Sequence, residues 1–341
     1  MLSFKASNSF HVQRSPQKFL SKLIRSIGNS IRYLSKDGRV CIITYHRVLE
    51  KHDPLLEPEP DIETFTWQME TLATCFNVLS LPDAIAAIRE NKVPPRAVCI
   101  SFDDGYRSCH DIALPILRRL GLPAAVFVTT GFLDDGSMWN DRIIDAIRGL
   151  PKGELDLREV GLGVHLMSEP DDRKEIAQKI NSASKYLPAD ERIKAIEKLE
   201  SLAGNTVTQS RMLTREMIVN LSKNGIEIGG HTVTHPILAN LNDEDARYEI
   251  EENKRVLEEM IGKPIQVFAY PNGKLGADFD QRHIDMVKAA GYIAAFSTAF
   301  GTATKTSDFF QIPRSRPWDI TPLIFSMRLL FWLGINLGKK K

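Results

Sequence analysis

Ala97–Tyr106 reads AVCISFDDGY, a short apolar run that ends in two adjacent carboxylates and a glycine. Such a run, rich in Val and Ile and stopped by a turn signal, predicts a fully buried strand. Burying Val98, Ile100 and Phe102 is ordinary. Placing Asp103 and Asp104 straight after them is not, because bare carboxylates at a core edge are costly unless paired or metal-bound. The same letters also describe a loop that merely starts with acidic turn residues. A second motif separates the two readings: Gly230-His231-Thr232-Val233-Thr234-His235 also follows an apolar strand, Ile226–Ile228.

Working outward, the chain alternates between strand and helix patterns. Strands are predicted over Val40–Tyr45 (ending in His46 and Arg47), Val78–Leu79, Ala124–Thr129, Ile265–Ala269 and Ile293–Thr298. Helices are predicted over Thr64–Cys75, Asp83–Glu90, Ser108–Leu120, Thr214–Lys223, Asp243–Ile261 and Asp280–Ala290. This alternation implies a parallel sheet with helices outside it. Motif residues at the C-terminal ends of successive strands imply a barrel, whose active-site rim lies there.

Two carboxylates and two histidines at strand ends look like a metal site. Side chains four apart on a strand share a face but stand roughly 13 Å apart, whereas two imidazoles on one zinc each need a metal–nitrogen distance of about 2.0–2.1 Å. His231 and His235 can share a cation only if the chain turns between them, which Gly229, Gly230, Thr232 and Thr234 allow and Pro236 limits.

SFDDGY and HTVTH resemble the first two motifs of the polysaccharide deacetylases, the NodB-homology group of carbohydrate esterase family 4. A third stretch, Phe268-Ala269-Tyr270-Pro271-Asn272-Gly273, extends the resemblance, which spans roughly Arg39 to Pro317. It implies an α/β fold, a distorted and incomplete (β/α) barrel. It also implies a divalent metal, zinc first with cobalt or nickel as alternatives, held by Asp104, His231 and His235. Asp103 then corresponds to the general base, and the backbone N–H of Asn272, where the family commonly has Tyr, to the oxyanion donor. The family often has Arg where Ala269 stands, and Arg314 is the proposed substitute that orients Asp103. The family's late Leu-x-His, source of the general acid, is missing, since no His follows His283. His46 is the replacement chosen here, with return of the proton by Asp103 as the alternative. Tyr270, Pro271, Trp139 and Asp141 are assigned to substrate contact.

The 341 residues, 43% hydrophobic and 26% charged, are those of a globular protein with a substantial core, and a formal charge of +1 argues against a general nucleic-acid binder. Cys41, Cys75, Cys99 and Cys109 show no CxxC spacing and read as small reduced core residues. Residues 1–39 carry eight Lys or Arg against one Asp, +7, with Phe19, Leu20, Leu23, Ile24, Ile27, Ile31 and Leu34 at helical spacing. This basic amphipathic segment suits anionic lipid or packing on the domain. Residues 40–318 form the barrel unit. Residues 319–341 hold a second apolar and basic segment, Pro322–Leu337 followed by Gly338 and three lysines, which suits an interfacial anchor, a partner-binding helix or a core helix. The barrel alternation is interrupted over about residues 134–211, read as a helical insert over the barrel mouth. Neither a signal peptide nor a stretch long enough to span a bilayer is visible, so the expected location is cytoplasmic, at the inner membrane surface where the termini touch lipid. The expected substrate is an N-acetylated glycan or glycolipid, with N- or O-acetyl groups removed during cell-surface polysaccharide or glycolipid synthesis. An allantoinase-like amidohydrolase and a non-catalytic carbohydrate-binding relative are the competing readings.

Overall fold

The computed structural model describes residues 14–34, 37–134, 136–204, 211–316 and 319–334. Its strands are β1 (Val40–Tyr45), β2 (Asn77–Val78), β3 (Ala97–Phe102), β4 (Ala125–Val128), β5 (Gly153–Leu157), β6 (Gly163–Met167), β7 (Glu227–Gly230), β8 (Val267–Ala269) and β9 (Ala294–Phe296). Seven of them form one parallel sheet in the order β1-β3-β4-β7-β8-β9, with β2 pairing with β3. Every residue of β1 and β3 is buried, as their unbroken apolar runs require.

Alternate strand residues serve two apolar layers. Cys41, Ile43, Tyr45, Val98, Ile100 and Phe102 pack with the surrounding helices. Val40, Ile42, Ala97, Cys99, Ala125, Phe127, Ala269, Ala294 and Phe296 form an inner cluster with the helix Leu81–Arg89. The period of two carries upward, so His46 and Asp103 continue the inner register at the strand ends.

The sheet curls until its two outer strands nearly meet, and a short segment bridges them. The N–H of Ile312 donates to Ala295 O (2.9 Å) and that of Ser297 to Ile312 O (2.9 Å), while the N–H of Ser315 donates to Ile42 O (2.8 Å) and that of Thr44 to Ser315 O (3.1 Å). Arg314 therefore sits in the seam between β9 and β1, with its guanidinium carbon 5.3 Å from the centre of the Phe127 ring. This curled, helix-wrapped parallel sheet is the distorted (β/α) barrel.

Between β4 and β7 lie the helices Trp139–Gly149, Pro170–Lys185 and Ala189–Leu202 together with the antiparallel hairpin β5–β6. They share an apolar cluster of their own that includes Ile143, Ile147, Leu155, Ile180, Ile196 and Leu199. The insert, expected as mainly helical, also carries this hairpin, which the sequence reading did not foresee. In GELDL, Leu155 and Leu157 point inward while Glu154 and Asp156 point out, a period of two hidden among charges.

The helix Arg14–Leu34 packs on the helix Pro322–Gly334, and both rest on Ile62–Cys75. Phe325, Leu329, Leu330 and Leu333 are buried, and Phe325 meets Trp67 edge to face. The opposite face leaves Leu323, Ile324, Met327 and Phe331 43–62% exposed. This segment is thus half core helix and half open apolar surface; residues 335–341 lie outside the described set. No helix among the described residues is long and apolar enough to cross a membrane. The four cysteines are buried and unpaired.

Candidate active site

β3 ends at Phe102, and the chain then turns sharply. Asp104 has φ +73° and Gly105 φ +85°. Four non-glycine residues with positive φ converge here: Asp104, Thr232 (+66°), His235 (+54°) and Asn272 (+59°). Such backbone costs about 1–3 kcal/mol per residue and persists where the surroundings enforce it.

The loop after β7 holds the imidazoles. The turn between them exists, but its left-handed residues are Thr232 and His235, not the preceding glycines. Gly229 and Gly230 answer a packing need instead: a Cβ would collide with the Phe127 ring at the first and with Tyr292 and Asn253 at the second. His235 N–H donates to Thr232 Oγ1 (3.1 Å), which closes the turn. His231 and His235 then lie with ring centres 4.9 Å apart.

Two buried polar residues of the helix Asp243–Ile261 clamp this loop, and sequence reasoning missed both. Asn253 accepts from His231 N–H (3.1 Å) and donates to Thr232 O (2.6 Å) and Val128 O (3.0 Å). Glu249 accepts from the N–H groups of Val233 (2.7 Å) and Thr234 (2.8 Å) and from Thr234 Oγ1. Their signal was present, since both fall on the apolar stripe formed by Ala246, Ile250 and Leu257.

The Nε2 atoms of His231 and His235 each stand 3.4 Å from Asp104 Oδ1, and the three ligand atoms all lie within 4.8 Å of one another. His231 Nδ1–H donates to Ala269 O (2.7 Å), which leaves the Nε2 lone pair facing Asp104. Burial pushes the His235 imidazole down to about 4, so it is neutral at pH 7. A buried carboxylate with two imidazoles aimed at it is the donor set of a divalent cation.

Asp103 sits beside this set in a bidentate pair with Arg314: Nη1 donates to Oδ1 at 2.6 Å and Nη2 to Oδ2 at 2.7 Å, both side chains buried. Arg314 Nε donates to Ser297 O (3.2 Å), fixing the fork. Burial would raise the Asp103 carboxyl; the guanidinium outweighs it and holds the group below its ordinary value.

The cavity over these groups measures about 430 Å³ and includes His46, Trp139 and Asn272 in its walls. His46 Nδ1 is 3.7 Å from Glu59 Oε1, which also accepts from Arg316 Nη2 (2.6 Å). The Asn272 carbonyl accepts from Thr298 Oγ1 (2.6 Å) and Gly273 O from Thr298 N–H (2.9 Å), while the Asn272 N–H donates to no described residue.

Three of the residues expected at the substrate do not line this cavity. Tyr270 is fully buried, its ring stacked 3.8 Å from Phe279 below the rim; Pro271 is likewise buried outside the cavity wall. Asp141 is 2% exposed and faces Arg47 at 2.7 Å, with the Arg47 guanidinium 3.7 Å over the Tyr106 ring. It ties the residues between β4 and β7 to the barrel.

The profile of the family described as polysaccharide deacetylase matches residues 90–295, more than half of the chain. The poly-β-1,6-N-acetyl-D-glucosamine N-deacetylase of Staphylococcus epidermidis is 27% identical over 212 residues, 55% of this chain and 70% of that protein. Several solved structures share the fold. The Streptococcus pyogenes deacetylase PplD in complex with acetate superposes with a TM-score of 0.57 at 17% identity, covering 87% of this chain and 99% of its own. IcaB from Ammonifex degensii gives 0.56 at 16% identity, covering 88% and 99%.

Proposed function

This chain belongs to the polysaccharide deacetylase family, and from that premise we propose that it hydrolyses the N-acetyl groups of a cell-surface glycan or glycolipid at a site built on one divalent cation. The observation that carries the proposal is the convergence of Asp104, His231 and His235 beside the Asp103–Arg314 pair. The named activity of the Staphylococcus epidermidis relative makes β-1,6-linked N-acetylglucosamine the first substrate to try.

In this reading Asp104, His231 and His235 would hold the cation, zinc by preference of the donor set, which when bound polarises the acetyl carbonyl and acidifies a coordinated water. Asp103, kept ionised and aimed by Arg314, takes the proton from the attacking water. The water oxygen bonds to the carbonyl carbon, and the free N–H of Asn272 donates to the oxyanion that forms. His46 then gives a proton to the sugar nitrogen as the C–N bond breaks, leaving acetate and a free amine. Glu59, facing His46 Nδ1, orients that ring.

The same proposal places the protein at the cytoplasmic face of an anionic membrane, with the exposed side of Pro322–Gly334 against lipid. The open apolar face of that helix, packed beside the basic helix Arg14–Leu34, supports it. The test of the catalytic reading is acetate release from N-acetylated oligosaccharides by metal-loaded protein. Release that is absent with every divalent cation tried would reject it.

A further inference from the structure

The chemistry proposed above uses only barrel residues, yet one wall of the cavity comes from elsewhere. Trp139 and Asn140 open the first helix after β4, and Asn181, Ser182 and Lys185 lie on the helix Pro170–Lys185. An acetamido group fills a small part of a cavity of about 430 Å³, which lies within the range that encloses a drug-sized ligand. The rest of that volume lies open to sugar rings.

Three properties make this wall a binding surface. The Asn140 and Asn181 side chains line the cavity and make no hydrogen bond to any described residue. Their Nδ2 groups, unlike the Oδ1 atoms, are not sealed from solvent, so each can donate to an acceptor on a ligand that enters the cavity. The wall is also fixed to the barrel, by Arg47 to Asp141 (2.7 Å), Arg211 to Asp145 (2.7 Å) and Arg148 to Asp53 (2.6 Å). Finally, its charges are matched: Lys185 faces Asp278 at 3.2 Å, as Arg316 faces Glu59 and Arg47 faces Asp141. Matched charges suit a neutral ligand rather than a phosphate or uronate.

We propose that Asn140, Asn181 and Ser182 form a second sugar subsite, exchanging hydrogen bonds with the hydroxyl and acetamido groups of the unit next to the one being deacetylated. The ligand class is a neutral oligosaccharide of at least two N-acetylated units, and the proposal rests on the deacetylase reading above.

The test compares the full chain with an Asn140→Ala, Asn181→Ala double variant and with Ser182→Trp, which fills the space from an exposed position. Calorimetry measures binding of N-acetylglucosamine and of its β-1,6-linked tetramer, alongside acetate release from both with zinc present. The wild type should bind the tetramer at least about tenfold more tightly than the monosaccharide, and the double variant should lose roughly thirtyfold of tetramer affinity, as two hydrogen bonds imply. Ser182→Trp should lose the tetramer preference while its thermal unfolding stays that of wild type. Equal binding of monomer and tetramer by wild type, or full tetramer affinity in both variants, overturns the subsite even if acetate is released normally. A tetramer preference that the variants lose, with no acetate release, supports the subsite and counts against the deacetylase reading instead.

Discussion

Replacing Arg314 with Met strips the guanidinium from a fully buried carboxylate. Both oxygens of Asp103 accept from Arg314, and removing one partner of such a pair costs about 3–5 kcal/mol because the other charge is stranded. With an unfolding entropy of about 2.1 cal/mol/K per residue, a chain of this length that unfolds as one unit gains about 0.7 kcal/mol/K, so Tm should fall by roughly 4–7 °C at pH 7. The sign of the pH dependence follows from the same pair. In the wild type the Asp103 carboxyl is held below its unfolded value, so its contribution is present above about pH 4 and is lost as pH falls through the lower folded value. In the variant burial acts without the opposing guanidinium and raises that carboxyl relative to the wild type, so the penalty is full at neutral pH and is relieved as pH falls toward the unfolded value. The Tm gap between metal-free wild type and variant should therefore narrow from pH 7 to pH 4. An Asp103→Leu, Arg314→Met double variant, which leaves no stranded charge, should recover most of the lost stability. A single variant within about 1 °C of wild type, a gap that does not change with pH, or a double variant no better than the single one would refute the reasoning.

Cation content is the next expectation. Purified wild type should carry about one divalent ion per chain, while Asp104→Asn and His231→Ala should retain none after dialysis, as elemental analysis will read. Asn253→Ala and Glu249→Gln, which loosen the loop holding both imidazoles, should each weaken zinc affinity by about 10–100-fold, measured by competition with a chelating dye. Asn272→Gly, which keeps both the backbone N–H and the left-handed backbone of this turn, should keep most of kcat; a loss of about 10²-fold or more, the cost of removing an oxyanion donor, would assign the role to the side chain and remove the backbone donor from the mechanism. Leu323→Glu with Phe331→Glu should abolish flotation on vesicles containing anionic lipid, and flotation unchanged from wild type would dismiss the membrane face.

The sequence carried the strands and the ligand motifs because each is local. Val40–Tyr45 and Ala97–Phe102 are continuous runs of strand-forming residues, Asp103 and Asp104 sit where the second stops, and His231 and His235 follow the strand Ile226–Ile228. The partnership of Arg314 with Asp103 crosses 211 positions and was reached only through an absence, the missing Arg at Ala269. The segment that closes the sheet was not legible, since Ile312–Ser315 makes single bridges to two strands and shows no period. Asp141 and Tyr270 lie outside the cavity wall because neighbours in sequence point in different directions: Trp139 and Asn140 line the cavity, while Asp141 turns inward to Arg47. Gly229 and Gly230 were taken for turn residues when close approach to Phe127 and Asn253 explains them. Glu249 and Asn253 were passed over because a charged helix hides two polar residues on its inner stripe.

The most direct test soaks crystals of the protein with zinc and locates the ion by anomalous scattering. The account predicts one fully occupied ion bonded to an Asp104 oxygen and to Nε2 of both His231 and His235, at about 2.0–2.2 Å from each, with Asp103 still held by Arg314. An ion bound elsewhere, or density at that position that coordinates fewer than these three side chains, would contradict it.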